Sequence, residues 1–185
     1  MPQDLDPDVP LIIKLFDDVF YDTYNTRLVH SDSDPEYLPA GLGGNPNDFH
    51  CIAFAHGFFS SALHEVAHWC VAGEKRRQQV DFGYWYAPDG RSAEQQKAFY
   101  RVEIKPQAFE WIFTVASGRK FRVSTDNLNG DVADDRQFEK DVYQQVQCLL
   151  LQGLPKRVEQ WAAALSSQFK TNSVYLQAAA YKLPI

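Results

Sequence analysis

Residues 63–71 read Leu-His-Glu-Val-Ala-His-Trp-Cys-Val, and no other stretch restricts the fold so tightly. Leu63, Val66, Ala67, Cys70 and Val71 recur at i, i+3, i+4, i+7 and i+8, the apolar stripe of a helix packed on a core. His64 and His68 then lie on one face along the border of that stripe, with Cβ atoms about 6 Å apart. Five histidines and eight glutamates in 185 residues make a His-Glu-x-x-His run a chance event expected about 0.006 times. A histidine pair at such a border, dry enough to bind and open enough to admit a ligand, points to a metal site.

The rest of the chain supplies a domain around this helix. At 185 residues, 45% hydrophobic and 14% aromatic, it can bury about 70% of its unfolded surface in one core, which excludes disorder. Residues 1–9 read as a mobile acidic tail, 10–170 as a single metal-binding catalytic domain and 171–185 as a C-terminal tail. Pro10 opens an amphipathic helix on Leu11, Ile12, Leu15, Phe16, Val19 and Phe20. Residues 30–49 read as a long loop, 50–55 as a short strand, and 61–72 as the metal helix, closed by Gly73 in the left-handed conformation.

Alternation over Val80 to Tyr86 predicts a strand. Ser92 and Gln95 form a capping box for a helix to about Ile104, and Pro106 is expected to break it before a further helix to Ser117-Gly118. A short strand at 121–124, a polar loop at 125–131 and two helices at 134–152 and 155–169 complete the reading. The fold class is α+β: a single domain, a small mixed sheet packed by several helices, with the metal site on the HExxH helix.

Several function classes are excluded. No apolar run reaches the ~18 residues of a membrane span, and the acidic N-terminus does not have the order of a signal peptide, so a cytoplasmic protein is expected. Cys51, Cys70 and Cys148 are scattered, which suits reduced, buried thiols and offers no cysteine-rich zinc module. The net charge of −6 argues against direct nucleic acid binding. It is uneven: residues 1–50 carry −8 and 51–185 carry +2. The basic groups Lys75-Arg76-Arg77 and Arg119, Lys120, Arg122 read first as helix-end cations.

Two imidazoles need a third ligand, most often a carboxylate. Glu103, between apolar Val102 and Ile104 and just before the Pro106 break, is the choice; Glu110 is the rival and Asp81 the outsider. His56, at the end of the strand before the metal helix, is a candidate substrate contact. Tyr84 and Tyr86 offer aromatic walls. Asp126 and Asp131, in the polar loop, are candidates to hold a cationic substrate.

Several stretches together resemble the bacterial elongation factor P hydroxylase family. They are Phe54-Ala55-His56-Gly57-Phe58, Ser61 to Cys70, Val80 to Tyr86 with Pro88-Asp89-Gly90-Arg91, Val102-Glu103 with Lys105 to Ala108, and Asp126-Asn127-Leu128. The likeness spans about residues 10–165. It implies a metal-dependent hydroxylase, an oxidoreductase that adds oxygen to the lysine of elongation factor P already carrying a β-lysyl group. It also implies that His64, His68 and Glu103 are the ligands.

Two histidines and a carboxylate suit Fe(2+) with molecular oxygen as co-substrate. The helical HExxH is unlike the pattern of oxoglutarate oxygenases, so oxoglutarate is not expected. A monomer acting on the protein substrate is the simplest reading. The rival enzyme is an HExxH zinc metallopeptidase, in which Glu65 would be the general base; in a hydroxylase Glu65 would organise water near the metal.

Overall fold

A computed structural model describes residues 5–80, 91–125 and 135–183. Helix α1 (Val9–Tyr24) carries Pro10 in its first turn, as its pattern requires, and turns Ile12, Phe16 and Phe20 into the core. Strands β1 (Thr26–His30), β2 (Glu36–Leu38) and β3 (His50–Phe54) form one mixed sheet in the order β1-β3-β2. β1 runs parallel to β3, with Leu28 opposite Ile52, and β2 runs antiparallel to it, with Tyr37 also opposite Ile52. A small mixed sheet is as expected, but of its strands only β3 was legible: β1 carried no strand reading, and β2 lies inside the stretch expected to be all loop. Three residues between turn-forming neighbours are too few for periodicity to register.

Helix α2 (Phe59–Val71) carries the histidines. It buries Ala62, Leu63, Val66, Ala67, Trp69 and Cys70 and leaves His64, Glu65 and His68 half-buried. Trp69 fixes this rotation: its ring meets Phe16 at 5.4 Å and Phe20 at 5.0 Å between centroids, edge to face. Gly73 does not cap the helix. The cap residue Ala72 is extended (φ −61°, ψ 123°), and Gly73 is not among the residues with positive φ. Guanidinium groups do the work instead. Arg157 donates to the carbonyls of Trp69 (2.8 Å), Cys70 (3.3 Å) and Ala72 (2.6 Å), and Arg77 donates to Ala72 (2.8 Å). These are the carbonyls a helix end leaves unpaired, and a cation there also meets the negative end of the dipole.

The largest departure from expectation is α3 (Ala93–Ala116), one helix of 24 residues with Pro106 inside it. The Ser92–Gln95 capping box starts it as predicted. An interior proline costs about 3 kcal/mol through the bond lost to the carbonyl four residues back. Phe99 and Tyr100 before it, and Phe109, Ile112 and Phe113 after it, all enter the same core. At about 1.5–3 kcal/mol per large side chain, burial outweighs the break.

Helices α4 (Asp135–Gln152) and α5 (Lys156–Gln168) close the core with Phe138, Val142, Val146, Val158, Trp161 and Leu165. Residues 121–124 form no strand. Phe121 stacks on Trp111 (4.8 Å, 16°), and the Gln107 side chain takes the place of a neighbouring strand. It accepts from the Ser124 N–H (3.0 Å) and donates to the Ser124 carbonyl (2.7 Å). Cys51 and Cys70 are buried thiols, whereas Cys148 is exposed, on the solvent side of α4.

Both ends of the described chain are tied to the domain. Arg119 pairs with Asp6 (2.8 Å) and Asp8 (2.6 Å), and Tyr175 and Tyr181 are buried. Among the described residues no helix is long and apolar enough to cross a membrane.

Arg157→Met would leave the Trp69 and Cys70 carbonyls without their charged donor and the Ala72 carbonyl with Arg77 alone. Hydrogen bonds to a charged group contribute about 1.5–3 kcal/mol each and are not additive, so a loss of roughly 2–3 kcal/mol is expected. Urea unfolding should show a lower midpoint with an unchanged slope.

Candidate metal centre

Continuity through Pro106 determines how the site is built. Glu103 does not sit at a helix end, as expected, but in the middle of α3. It is followed at i+4 and i+7 by Gln107 and Glu110, so all three share one face. That face meets α2. His64 faces Glu110 and Glu103, and His68 faces Glu103.

The Nε2 atoms of His64 and His68 lie 3.0 Å apart, and Glu103 brings its carboxylate oxygens to 3.8 Å from the first and 3.3 Å from the second. The three residues offer one ligand atom each, all within 4.8 Å of one another. Glu103 is 2% exposed, and a carboxylate so placed needs a compensating charge.

Protons supply part of that charge in the metal-free protein. For Glu103, burial alone would raise the pKa, but the two imidazoles, with Gln107, hold it down at about 2. For His64, burial alone would lower the pKa; the hydrogen bond and charge of Glu110, with Glu103 and Glu65, push it up to about 10.

The donor set also fits a cation. Two nitrogens bound to one ion at about 2.1 Å and about 90° to each other are separated by ~3.0 Å, close to the observed spacing. Two imidazoles and one carboxylate are the donor set used by hydrolytic zinc and by ferrous oxygenase sites alike.

Glu110, the rival for third ligand, does something else. Its Oε2 lies 2.8 Å from His64 Nδ1. A proton held there leaves the Nε2 lone pair free to face His68 and Glu103, the tautomer a ligand needs. Gln107 was not anticipated. Fully buried, it donates to Glu103 (3.4 Å) while it holds Ser124, so one side chain joins the acidic residue to the segment leading into the polar loop. Its signal in the sequence is the polar series Glu103, Gln107, Glu110 and Thr114 at i, i+4, i+7 and i+11, which continues into a second half of the helix, Pro106 to Ala116, that holds no other polar residue.

Glu65, like His68, is half-buried on α2. Both residues line a cavity of about 30 Å³ shared with Tyr37, Arg76 and Arg77, room for a water molecule or two. Burial pushes the Glu65 pKa up, only partly opposed by the two histidines.

His56 is not brought to this cluster. It is exposed, adopts a positive φ of 63° and packs against Phe58. Tyr84, Tyr86, Asp126, Asp131 and the outsider Asp81 lie outside the described residues, as does all but Val80 of the strand expected over Val80 to Tyr86.

Comparison with known proteins bears on what this centre serves. A family profile described as elongation factor P hydroxylase matches residues 15–180. A relative from Haemophilus influenzae, described as elongation factor P lysine hydroxylase, is 50% identical over 160 residues, covering 86% of this chain and 88% of the relative. The match takes in α2, α3 and every residue of the cluster. The chain belongs to the elongation factor P hydroxylase family.

Proposed function

We propose that this protein hydroxylates the lysine of elongation factor P that already carries a β-lysyl group, using Fe(2+) held by His64, His68 and Glu103, with molecular oxygen as co-substrate and without oxoglutarate, an external reductant giving the two electrons that take the second oxygen atom to water. The observation that carries the proposal is the convergence of those three side chains on one point, in a chain of this family. Translation takes place in the cytoplasm, and the reading puts the enzyme there, acting as a monomer on a protein substrate without direct nucleic acid contact.

When bound, the metal would supply the oxidising chemistry for an unactivated C–H bond, which no side chain offers. The chain's own residues do the rest. Glu110 keeps a proton on His64 Nδ1 and so presents Nε2. Gln107 fixes the rotamer of Glu103. Glu65, whose burial favours its neutral form, can hold a proton beside the cavity it shares with His68. Asp126 and Asp131 are proposed to meet the ammonium groups of the substrate arm, with Tyr84, Tyr86 and His56 as further substrate contacts. An ammonium entering a cleft needs such partners.

The direct test is the intact mass of β-lysyl elongation factor P before and after incubation with this protein, Fe(2+), oxygen and a reductant. The gain of one oxygen atom is expected; an unchanged mass, or cleavage of the factor, would reject the proposal, cleavage favouring the peptidase chemistry of an HExxH helix.

Glu110→Ala removes the acceptor on His64 Nδ1 but no ligand. It should leave the metal stoichiometry intact while weakening metal affinity about 10–100-fold, and Glu110→Gln, which keeps an acceptor, should recover most of that loss. Competition titration against a chelator measures both.

A further inference from the structure

A second feature opens beside the metal centre. A cleft of about 630 Å³ runs between the start of α2 and residues 118–122 and is lined by Phe58, Leu63, Glu110, Lys120, Phe121 and Arg122 among others. Its buried end is Glu110, the residue bonded to His64. Its outer rim is cationic and aromatic: Lys120 and Arg122 are exposed, and Phe58 is 43% exposed.

For Arg119 the expectation of a cation that merely completes a helix end does not hold. Arg119 turns away from α3 toward carboxylates, taking Asp6 by both nitrogens (2.8 and 3.1 Å) and Asp8 (2.6 Å), while its guanidinium lies 3.7 Å over the Phe59 ring. The rim thus already holds an acidic segment of this same chain. Among the described residues Lys120 and Arg122 have no carboxylate partner, so cations remain for another acidic segment.

We infer that this cleft docks an acidic stretch of the protein substrate, Lys120 and Arg122 pairing with its carboxylates and Phe58 and Phe121 packing its apolar side chains, on the side of the domain where Glu110 backs His64. The inference rests on the function proposed above. An acidic protein suits the site better than a nucleic acid does. The bound example, Asp6 and Asp8 on Arg119, is a carboxylate pair, and a chain with a net charge of −6 repels a polyanion overall. Complementary charge at such a rim acts on encounter and is weakened by salt.

The test is the Kd of β-lysyl elongation factor P, measured by calorimetry for the wild type, K120E/R122E and K120Q/R122Q, at low and at physiological salt. Both residues are exposed, so melting temperature and bound metal should be unchanged. The charge-reversed variant should bind at least about tenfold more weakly, the neutral variant should fall between, and the salt dependence of the wild type should be reduced in both.

Equal affinity of all three proteins, with the wild type still hydroxylating the factor, would overturn the inference and leave the function standing. So would tighter binding of a single-stranded RNA 20-mer than of the factor, lost in K120E/R122E, which would make the cleft a nucleic acid site. A wild type that neither binds nor hydroxylates the factor would overturn both.

Discussion

A buried carboxylate facing two imidazoles sets the terms for this protein. Glu103 is almost wholly withdrawn from water, and the Nε2 atoms of His64 and His68 face it from only 3.0 Å apart. Two imidazole lone pairs and a carboxylate at that separation repel one another unless a positive charge sits among them. The charge can be a proton or a metal ion, and the strongly displaced pKa values of Glu103 and His64 express that demand. Removing such a charge from a dry site costs several kcal/mol. The surrounding fold must hold the three groups together against their own repulsion.

Two devices do this. The C-terminal end of α2 is tied by Arg157 to the start of α5, and Trp69 locks the rotation of the helix against α1. On the other side, α3 runs unbroken through Pro106, so Glu103, Gln107 and Glu110 keep one helical phase. A break at the proline would separate Glu103 from the two residues that steady the site. The proline is tolerated because both halves of α3 bury large side chains in a common core, and that same burial delivers Glu103 to the histidines.

Much of this was legible in the sequence. The phase of residues 63–71 placed both histidines correctly, and the capping box at Ser92 started α3 where the chain starts it. Glu103 was identified for its apolar neighbours, which was sound, and for a chain break, which does not exist. Local rules about proline could not register a core lying on both sides of it. Glu110 was weighed as a ligand because carboxylate identity is visible in a sequence, whereas its distance to Nδ1 rather than Nε2 of His64 is not. Gln107 went unnoticed because its role depends on a contact with Ser124, seventeen residues on. The cap at Gly73 failed for a similar reason: the residue that satisfies those carbonyls, Arg157, is more than eighty positions away.

The central claim is that His64, His68 and Glu103 together hold one metal ion. Anaerobic titration of the metal-free protein with Fe(2+), followed by removal of loosely bound metal and elemental analysis, tests it most directly. The account predicts one ion per wild-type chain and less than about a tenth of that in His68→Ala and Glu103→Gln, with both variants still folded. A Glu103→Gln or His68→Ala protein that keeps a full equivalent of iron through the same treatment would contradict it.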